Sequence, residues 1–351
     1  MSRLLVTGGA GFIGANFVRH WRASHPEDSI AVLDALTYAA DRANLDGISG
    51  VTFVEGDIRD RALVERLLTG HGLDTLVHFA AETHVDRSIL DAGAFIQTNV
   101  LGTHALLEAA RAAWLDTGSG RPHRFHHVST DEVYGSLGPV DPAFTEATPH
   151  APNSPYAASK AAADHLVRAW GRTYGLEATI SRCSNNLGPF QNREKLIPLM
   201  LTNALAGRAL PVYGDGLHVR DWLDVNDHCR ALDLILTGAA AGEVYNVGGR
   251  CELTNLALVE RLCAAVDGAF AADPALARRF PASPPAAGRA TSTLVTHVPD
   301  RPGHDRRYAI DDGKIRRDLG YAPAADFASS LAVTVSWYLN RHGRTWRLRQ
   351  A

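Results

Sequence analysis

Near its N-terminus the chain reads Arg3-Leu4-Leu5-Val6-Thr7-Gly8-Gly9-Ala10-Gly11-Phe12-Ile13-Gly14. The apolar run predicts a short buried strand, and the pattern after the glycines predicts a helix. Glycines between a strand and a helix let the backbone turn tightly and approach a pyrophosphate, which then lies at the helix N-terminus. A glycine-rich turn without a ligand is the alternative. Asp34 argues against it, because a carboxylate at the end of the next predicted strand binds ribose hydroxyls and repels a 2′-phosphate. The stretch therefore predicts an NAD site.

Short β-branched runs alternate with helical patterns through the first half of the chain, which predicts a parallel sheet covered by helices. The predicted strands are residues 4–7, 30–34, 51–55, 75–79, 124–129 and 178–181, and the predicted helices lie near 13–23, 60–69, 93–114 and 156–174. In the second half we expect helices at 196–206, 253–266 and 326–341, strands at 210–213 and 244–247, and a strand entering a helix at 222–236. Residues 267–293 are rich in Ala, Pro and Arg without periodicity, and predict a long loop.

The expected fold class is α/β, with a Rossmann-type doubly wound parallel sheet and a smaller, mixed α/β substrate-binding lobe. Residues 1–186 are expected to form the NAD-binding domain, with returns of the chain near 222–250. The lobe is assigned to residues 187–221 and 251–351. Apolar residues on more than one side of 94–114 and 157–170 indicate burial against the sheet or against a second copy, so we expect a homodimer.

The composition of the chain limits the kinds of molecule it can bind and the cellular compartment in which we expect it. The chain has 351 residues and a formal net charge of −3, which argues against nucleic acid as the main partner. No apolar run approaches the roughly 18 residues of a membrane span, and the first strand leaves no room for a signal peptide. The four cysteines show no paired spacing and the histidines no metal-ligand spacing, so neither a disulfide framework nor a metal site is indicated. We therefore expect a soluble cytoplasmic protein without a membrane partner.

A second stretch carries chemistry. Tyr156 and Lys160 are four residues apart on a predicted helix and share one face, so the ammonium can favour the phenolate and make Tyr156 a usable base. Thr130, Asp131 and Glu132 follow a predicted buried strand, at the edge where ligands of open α/β sheets bind. Adjacent strand residues point to opposite sides, so both carboxylates reach one substrate only if the backbone bends there. Alcohol oxidation does not need two additional carboxylates, and the pair indicates a second reaction.

These motifs resemble the extended short-chain dehydrogenase/reductase superfamily, and more closely its dTDP-glucose 4,6-dehydratases. The resemblance covers most of the chain and is most specific in Thr130-Asp131-Glu132, in Tyr156 with Lys160, and in residues 300–305, which read Asp-Arg-Pro-Gly-His-Asp. It implies a lyase of deoxysugar biosynthesis that uses NAD and acts on a nucleotide sugar. Tyr156 would take the proton of the glucose C4 hydroxyl with help from Thr130, Glu132 would remove the C5 proton, and Asp131 would protonate the departing C6 hydroxyl.

The remaining site residues are expected to bind cofactor or substrate. The expected cofactor contacts, besides Tyr156 and Lys160, are Gly8, Gly11, Phe12, Ile13, Gly14, Asp34, Leu36, Thr37, Asp57, Ile58, Ala80, Ala81, Thr83, Thr98 and Asn186. The expected substrate contacts are His84, Thr130, Asn185, Lys195, Leu196, Pro211, Tyr213, Arg220, Asn246, Arg301 and His304. Of these, Arg220 and Arg301 suit phosphate through their planar guanidinium groups, and His84 is equally interpretable as a structural histidine.

The chain also departs from the family pattern. The family usually has Tyr where this chain has Leu187 and Phe190, Phe-Pro where it has Asn192-Arg193, and Gly where it has Ala40. These positions flank the expected substrate loop, so the preference for nucleobase and sugar stays open. The alternative functions are a nucleotide-sugar 4-epimerase or decarboxylase on the same fold, which has no use for both carboxylates, and a non-catalytic NAD-binding protein, which would not need the Tyr-Lys pair.

Overall fold

The computed structural model describes residues 1–118, 120 and 122–341. Within them the strands are β1 Arg3–Thr7, β2 Ser29–Asp34, β3 Val51–Glu55, β4 Thr75–His78, β5 Arg124–Thr130, β6 Ala178–Cys183, β7 Asn185–Leu187, β8 Leu210–Tyr213, β9 Val219–Asp224, β10 Val244–Val247, β11 Glu252–Thr254 and β12 Val295–Val298. The α-helices are α1 Phe12–Ser24, α2 Arg61–Gly70, α3 Val85–Leu90, α4 Ala92–Phe95, α5 Thr103–Trp114, α6 Pro155–Tyr174, α7 Leu196–Leu205, α8 Val225–Gly238, α9 Asn255–Ala272, α10 Ala275–Arg279, α11 Gly313–Leu319 and α12 Phe327–Arg341.

Seven parallel strands form the central sheet, in the order β10-β6-β5-β4-β1-β2-β3. The chain leaves β1 toward β2 and β3 on one side, and continues from β4 toward β5 and β6 on the other. This reversal between β1 and β4 is the switch point at which open α/β sheets bind ligands, beyond the carboxyl ends of the strands. The predicted doubly wound parallel sheet is confirmed.

Helices cover both faces of this sheet. On one face α1 and α8 pack through Phe17, Val18 and Leu232, and on the other α2, α5 and α6 pack through Val64, Leu107 and Val167, among others. The sheet is buried on both sides, which explains why its strands read as nearly continuous apolar runs.

Helix α6 has clear start and stop signals. The Ser154 side chain accepts a hydrogen bond from the Ala157 N–H at 3.1 Å, Pro155 occupies the first turn, and Gly175 ends the helix in the left-handed conformation with φ +77°. Proline suits the first turn because its missing N–H has no partner there, and glycine adopts the left-handed cap without a Cβ clash. These caps fix the register that later places Tyr156 and Lys160.

The predicted helix over 93–114 is not continuous. Between α4 and α5 the backbone forms a π-helical segment, Ile96–Gly102. The buried Asn99 in this segment donates to the Glu82 carbonyl at 3.0 Å and accepts from the Glu82 N–H at 2.8 Å. Because π-helical turns shift side chains out of the regular helical register, this segment can hold the loop after β4 in place.

A second hydrophobic cluster lies outside the sheet, formed largely by α7, α9 and α12. It is accompanied by a three-stranded sheet, β11-β9-β7, and a two-stranded parallel sheet, β12-β8. This is the smaller mixed α/β lobe. The division at residue 186 stays a prediction, and the predicted lobe residues 342–351 lie outside the described residues.

Two expectations for the lobe are wrong. Leu253 does not begin a helix but pairs with Arg220 in the edge strand β11, and α9 then extends to Ala272. Residues 267–293 are not a long loop, since the end of α9, α10 and the 3₁₀ turns Pro284–Ala287 and Thr291–Leu294 occupy them. Phe270, Leu276 and Phe280 from this stretch are buried in the lobe's cluster. Their spacing spans several short elements, so no single helical period is visible in the sequence.

Candidate active site

One large cavity, of about 570 Å³, lies beyond the carboxyl ends of the strands around the switch point. Tyr156 and Lys160 line this cavity, and so do all the other expected cofactor residues except Leu36. Of the expected substrate residues, Thr130, Asn185, Lys195 and Leu196 also line the cavity. The structure thus brings most of the predicted site together in one place.

The glycine turn leaves room that a side chain would fill. Gly8 has φ +69°, and a Cβ there would lie 2.6 Å from the Ala80 backbone nitrogen. A Cβ at Gly14 would lie 2.3 Å from the Gly8 carbonyl oxygen. Gly11 caps the N-terminus of α1, which directs free N–H groups and the positive end of the helix dipole toward the cavity. These features fit a dinucleotide pyrophosphate.

Asp34 ends β2 with its carboxylate held by the backbone. One oxygen accepts from the Ala10 N–H and the other from the Leu36 N–H, both at 2.9 Å. Burial raises the pKa of Asp34, and these two hydrogen bonds oppose that effect. Leu36, in the left-handed region with φ 48°, does not line the cavity with its side chain. The direct cofactor contact of Leu36 stays a prediction, and in the structure its backbone N–H orients Asp34.

Lys160 is buried in the cavity wall. Its ammonium donates to the Val128 carbonyl at 2.9 Å and lies 3.2 Å from Nε2 of His127. Burial lowers the pKa of Lys160 to about 8, opposed by the charge of Asp164. The pKa of Tyr156 is raised well above its ordinary value, first by burial and then by Glu132, whereas its hydrogen bond with Thr130 lowers it. In this structure burial outweighs the expected stabilisation of the phenolate by Lys160.

The backbone bends directly after Thr130, as it must if the carboxylates of Asp131 and Glu132 are to reach the same substrate. Strand β5 ends at Thr130 and a 3₁₀ turn, Asp131–Tyr134, begins at once. The Thr130 hydroxyl accepts from the Glu132 N–H and donates to Oδ1 of Asp131, each at 3.3 Å. Asp131 is only 2% exposed, its Oδ2 is buried without a hydrogen-bond partner among the described residues, and it lies behind the cavity wall that Thr130 and Glu132 line.

The two carboxyl groups have unequal surroundings. The pKa of Asp131 is raised well above its ordinary value by burial and by Glu132 and Asp221. Burial also raises the pKa of Glu132, but Arg301, Arg220 and Lys195 oppose the shift. Acid–base elimination requires one carboxyl group that favours its protonated form and another whose ionised form is stabilised by cations, and the opposing charges here favour those two roles for Asp131 and Glu132.

Three cations from distant parts of the chain surround Glu132. Lys195 donates to the Thr83 carbonyl at 2.7 Å. Arg220 is buried, donates to the carbonyls of Val219 and Asp305, and lies 4.2 Å from the centre of the Tyr308 ring. Arg301 lies 3.3 Å from Asp86, and its Nε is buried without a hydrogen-bond partner among the described residues. An unpaired guanidinium N–H beside a cavity suits an anionic ligand.

The other expected substrate residues lie next to this region. The Tyr213 hydroxyl donates to Asp86 at 3.1 Å. His304 stacks on His218 at 3.7 Å between ring centres. These two histidines and Asp300 are close enough together to hold a metal ion, a grouping that the sequence spacing did not indicate. Pro211 lies on β8 and pairs with Thr296 of β12.

Two expected substrate contacts are not supported by the geometry. Asn246 is fully buried; its amide oxygen accepts from the Tyr134 hydroxyl at 2.8 Å and its amide nitrogen donates to the Phe144 carbonyl at 3.0 Å. Its side chain is engaged in packing away from the cavity wall, and the substrate contact of Asn246 stays a prediction. His84 caps α3, accepting from the Arg87 N–H at 3.3 Å. The structural interpretation of His84 is thus the better supported one.

Sequence reasoning missed other cavity residues. These are Glu82, Gln191 and Glu194. A further residue that was not predicted, Asn255, lies outside the cavity wall, and its buried side-chain oxygen has no hydrogen-bond partner among the described residues. Gln191 and Glu194 lie on an irregular segment between β7 and α7, where no periodicity marks which side chains face a ligand. Glu82 directly follows the alanines after β4, so its position was the available signal.

The sequence matches the GDP-mannose 4,6 dehydratase family over residues 5–334. It is 52% identical to the dTDP-glucose 4,6-dehydratase of Neisseria gonorrhoeae, over 97% of this chain and 96% of that protein. The fold is similar to the crystal structure of DesIV, a dTDP-glucose 4,6-dehydratase from Streptomyces venezuelae with NAD and TYD bound, with a TM-score of 0.86, 49% identity, and 97% and 98% of the two chains covered. A UDP-glucose 4-epimerase from Thermus thermophilus in complex with NAD gives a TM-score of 0.81 at 30% identity, with 96% and 98% covered.

Proposed function

The chain belongs to the GDP-mannose 4,6-dehydratase family, among its dTDP-glucose 4,6-dehydratases, and from that premise we infer how its residues carry out the reaction. The protein is a hydro-lyase of deoxysugar biosynthesis that converts dTDP-glucose to the 4-keto-6-deoxy sugar with NAD. The observation that carries the assignment of roles is the buried Asp131 next to Glu132, which lines the cavity beside Tyr156.

The cavity residues suit the cofactor. Gly8, Gly11 and Gly14 leave space for the pyrophosphate, and the oriented carboxylate of Asp34 suits the adenosine ribose hydroxyls. These residues would hold NAD, which would supply the hydride acceptor for C4 and the hydride donor for C6. We expect it to stay bound, since it is regenerated in each cycle.

Tyr156 would act first, as the base that takes the C4 hydroxyl proton. Its phenol is buried, so ionisation needs positive charge close by. Lys160 supplies such charge from one helical turn away, anchored to the Val128 carbonyl. Thr130, which lines the cavity with Tyr156 and lowers its pKa, would assist by hydrogen bonding.

Elimination would use both carboxyl groups. A ketone at C4 acidifies the C5 proton, and Glu132 would remove it, because the cations of Arg301, Arg220 and Lys195 favour its ionised form. Asp131 would protonate the C6 hydroxyl, which leaves as water, because burial and the charges of Glu132 and Asp221 raise its pKa and favour its protonated form. General acid and base catalysis of this kind contributes roughly 100-fold to 10,000-fold in rate.

Replacement of Glu132 by Gln tests these roles against those of an epimerase. We expect Glu132→Gln to reduce its bound NAD on addition of dTDP-glucose, seen as nicotinamide absorbance, but to form 4-keto-6-deoxy product at least about 100-fold more slowly. Glu146→Gln is the control, because Glu146 is an acidic residue outside the cavity wall. This variant should convert dTDP-glucose at the wild-type rate. Full turnover by Glu132→Gln would contradict the assigned mechanism.

The departures at Leu187, Phe190, Asn192 and Arg193 make a substrate panel the second experiment. Asn192 and the segment around it line the cavity, where they can affect which nucleotide sugar fits. We expect dTDP-glucose to be turned over with higher kcat/KM than UDP-glucose or GDP-mannose. Preferred turnover of another nucleotide sugar would correct the substrate and leave the reaction type unchanged.

Homodimerisation and a cytoplasmic location are further parts of the proposal. Ile89, Leu90, Ile96 and Leu101 are exposed apolar residues on the α3-to-α5 segment, and Leu90 is 87% exposed. Exposed apolar side chains concentrated on one helical segment are typical of an interface, and we propose a second copy of the chain as the partner. No helix among the described residues is long and apolar enough to cross a membrane.

A further inference from the structure

The proposed reaction leaves the site in a different protonation state from the one in which it started. Tyr156 gains the proton of the C4 hydroxyl, and the product keeps a ketone at C4, so that proton is not returned to the sugar. Asp131 loses a proton to the C6 oxygen, which departs as water. Glu132 takes the C5 proton and gives one back to C5 when hydride reaches C6. After one turnover, therefore, Tyr156 carries one proton too many and Asp131 one too few.

Thr130 lies between these two groups. Its hydroxyl donates to Oδ1 of Asp131 at 3.3 Å. Thr130 and Tyr156 both line the cavity, and Thr130 lowers the pKa of Tyr156. Asp131 is 2% exposed and its Oδ2 has no hydrogen-bond partner among the described residues, so while the sugar is bound it can exchange a proton only with the sugar or with Thr130. Tyr156, Thr130 and Glu132 line the cavity, whereas Asp131 lies behind them. A proton from solvent would thus have to pass the substrate or pass through Thr130.

We propose that Thr130 relays a proton from Tyr156 to Asp131 at the end of each turnover, an inference that rests on the proposed function. The Tyr156 O–H bond breaks as its proton moves to Oγ1 of Thr130, while the original hydroxyl proton of Thr130 moves to Oδ1 of Asp131. Thr130 is again a hydroxyl, Tyr156 is a phenolate and Asp131 is a neutral acid. Neither net charge nor the number of protons changes, so no co-reactant is needed.

Two charged groups, Asp221 and Lys160, distinguish the start of this transfer from its end. A negative charge on Asp131 is buried beside Glu132 and Asp221, and both carboxylates raise its pKa. After the transfer the charge resides on Tyr156, one helical turn from the ammonium of Lys160. The relay therefore moves the negative charge away from Asp221 and toward the ammonium of Lys160, whereas Glu132 raises the pKa of both groups.

Rapid-quench kinetics with dTDP-glucose in excess over enzyme test the relay. Thr130→Val keeps the shape of the side chain but lacks the hydroxyl, so we expect a burst of one product per active site followed by turnovers at least about 100-fold slower than the first. Thr130→Ser keeps the hydroxyl and should show no burst, whatever its absolute rate. A Thr130→Val variant whose later turnovers are as fast as its first would overturn the relay.

Buffer dependence gives an independent measurement. Without the relay, Tyr156 must release its proton to solvent and Asp131 must take one up, so the later turnovers of Thr130→Val should accelerate as buffer concentration rises at constant pH and ionic strength. Wild-type turnover should not change, because its proton stays inside the protein. Wild-type turnover that rises equally with buffer would overturn the proposal. Failure of the wild-type protein to form product would instead refute the proposed function.

Discussion

Asp164 is the residue on which the charge of Lys160 depends most directly. It lies one turn after Lys160 on α6, with Oδ1 3.4 Å from Nε2 of His127, which in turn lies 3.2 Å from the Lys160 ammonium. Its other oxygen accepts from Nε of the buried Arg182 at 2.9 Å. We predict that Asp164→Asn lowers the pKa of Lys160 and moves the alkaline limb of the pH–rate profile to lower pH.

The size of the effect follows from the charges. Burial lowers the pKa of Lys160 to about 8, and Asp164 is the main group opposing that shift. An opposite charge at such range is worth about 1–3 pKa units. A fall of about one unit reduces the charged fraction of Lys160 at pH 7.5 from about three quarters to about one quarter, and at pH 6 by only about a tenth. Activity should therefore fall at least about threefold at pH 7.5 and much less at pH 6 from this cause.

Several other groups face Lys160 and stay unchanged in the variant. They are Tyr156 on the same helix, His127 on β5 and Cys183 on β6, with His78 packed against His127. Burial lowers the pKa of His127 to about 4 and raises that of Cys183 to about 12, so neither titrates between pH 6 and 8. A shift of the alkaline limb in this window is thus attributable to Lys160.

The assay is kcat against pH, accompanied by thermal unfolding. Asp164→Asn leaves the buried Arg182 without its counter-charge, which should cost about 3–5 kcal/mol of unfolding free energy. Asp227→Asn is the matched control, because Asp227 is an equally buried carboxylate that binds Arg230 and the backbone of residues 324 and 325. It should destabilise the fold without moving the pH profile. The reasoning is refuted if the Asp164→Asn profile superimposes on wild type, or if Asp227→Asn shifts it equally.

Three further predictions concern the cofactor and the oligomer. Gly14→Ala should abolish retention of NAD through gel filtration, because the added Cβ would lie 2.3 Å from a backbone oxygen. Gly268→Ala is the control, because a Cβ there would meet no atom within 4 Å. This variant should retain NAD, and its free energy of unfolding in urea should rise by up to about 1 kcal/mol. Asp34→Ala should weaken NAD binding at least about tenfold and reduce discrimination against NADP in fluorescence titrations, since a charge-assisted hydrogen bond to ribose is lost; unchanged affinity would remove Asp34 from the site. Leu90→Asp should halve the mass in sedimentation velocity, whereas Val140→Asp, 93% exposed elsewhere, should not; identical sedimentation of both would argue against the proposed interface.

Local sequence predicted the elements that have a strong period or strong end signals. The strand, glycine turn and helix at residues 3–24 were placed correctly, and so was α6, because apolar periodicity and caps act over a few residues. Periodicity and caps did not predict the π-helical segment Ile96–Gly102 or the packing of residues 267–293. There the backbone conformation is selected by contacts with residues far along the chain.

The sequence by itself determined the sheet half, the dinucleotide turn, the Tyr156–Lys160 pair and the adjacency of Thr130, Asp131 and Glu132, since each is a pattern of neighbouring residues. Only the tertiary structure decided how these groups are charged. Asp131 is buried behind Thr130, and three cations lie near Glu132: Lys195, Arg220 and Arg301. These cations belong to segments more than 60 residues away from Asp131 and Glu132 in the chain. The physical reason is that pKa values depend on solvent exclusion and on nearby charge, and both are properties of the packed fold.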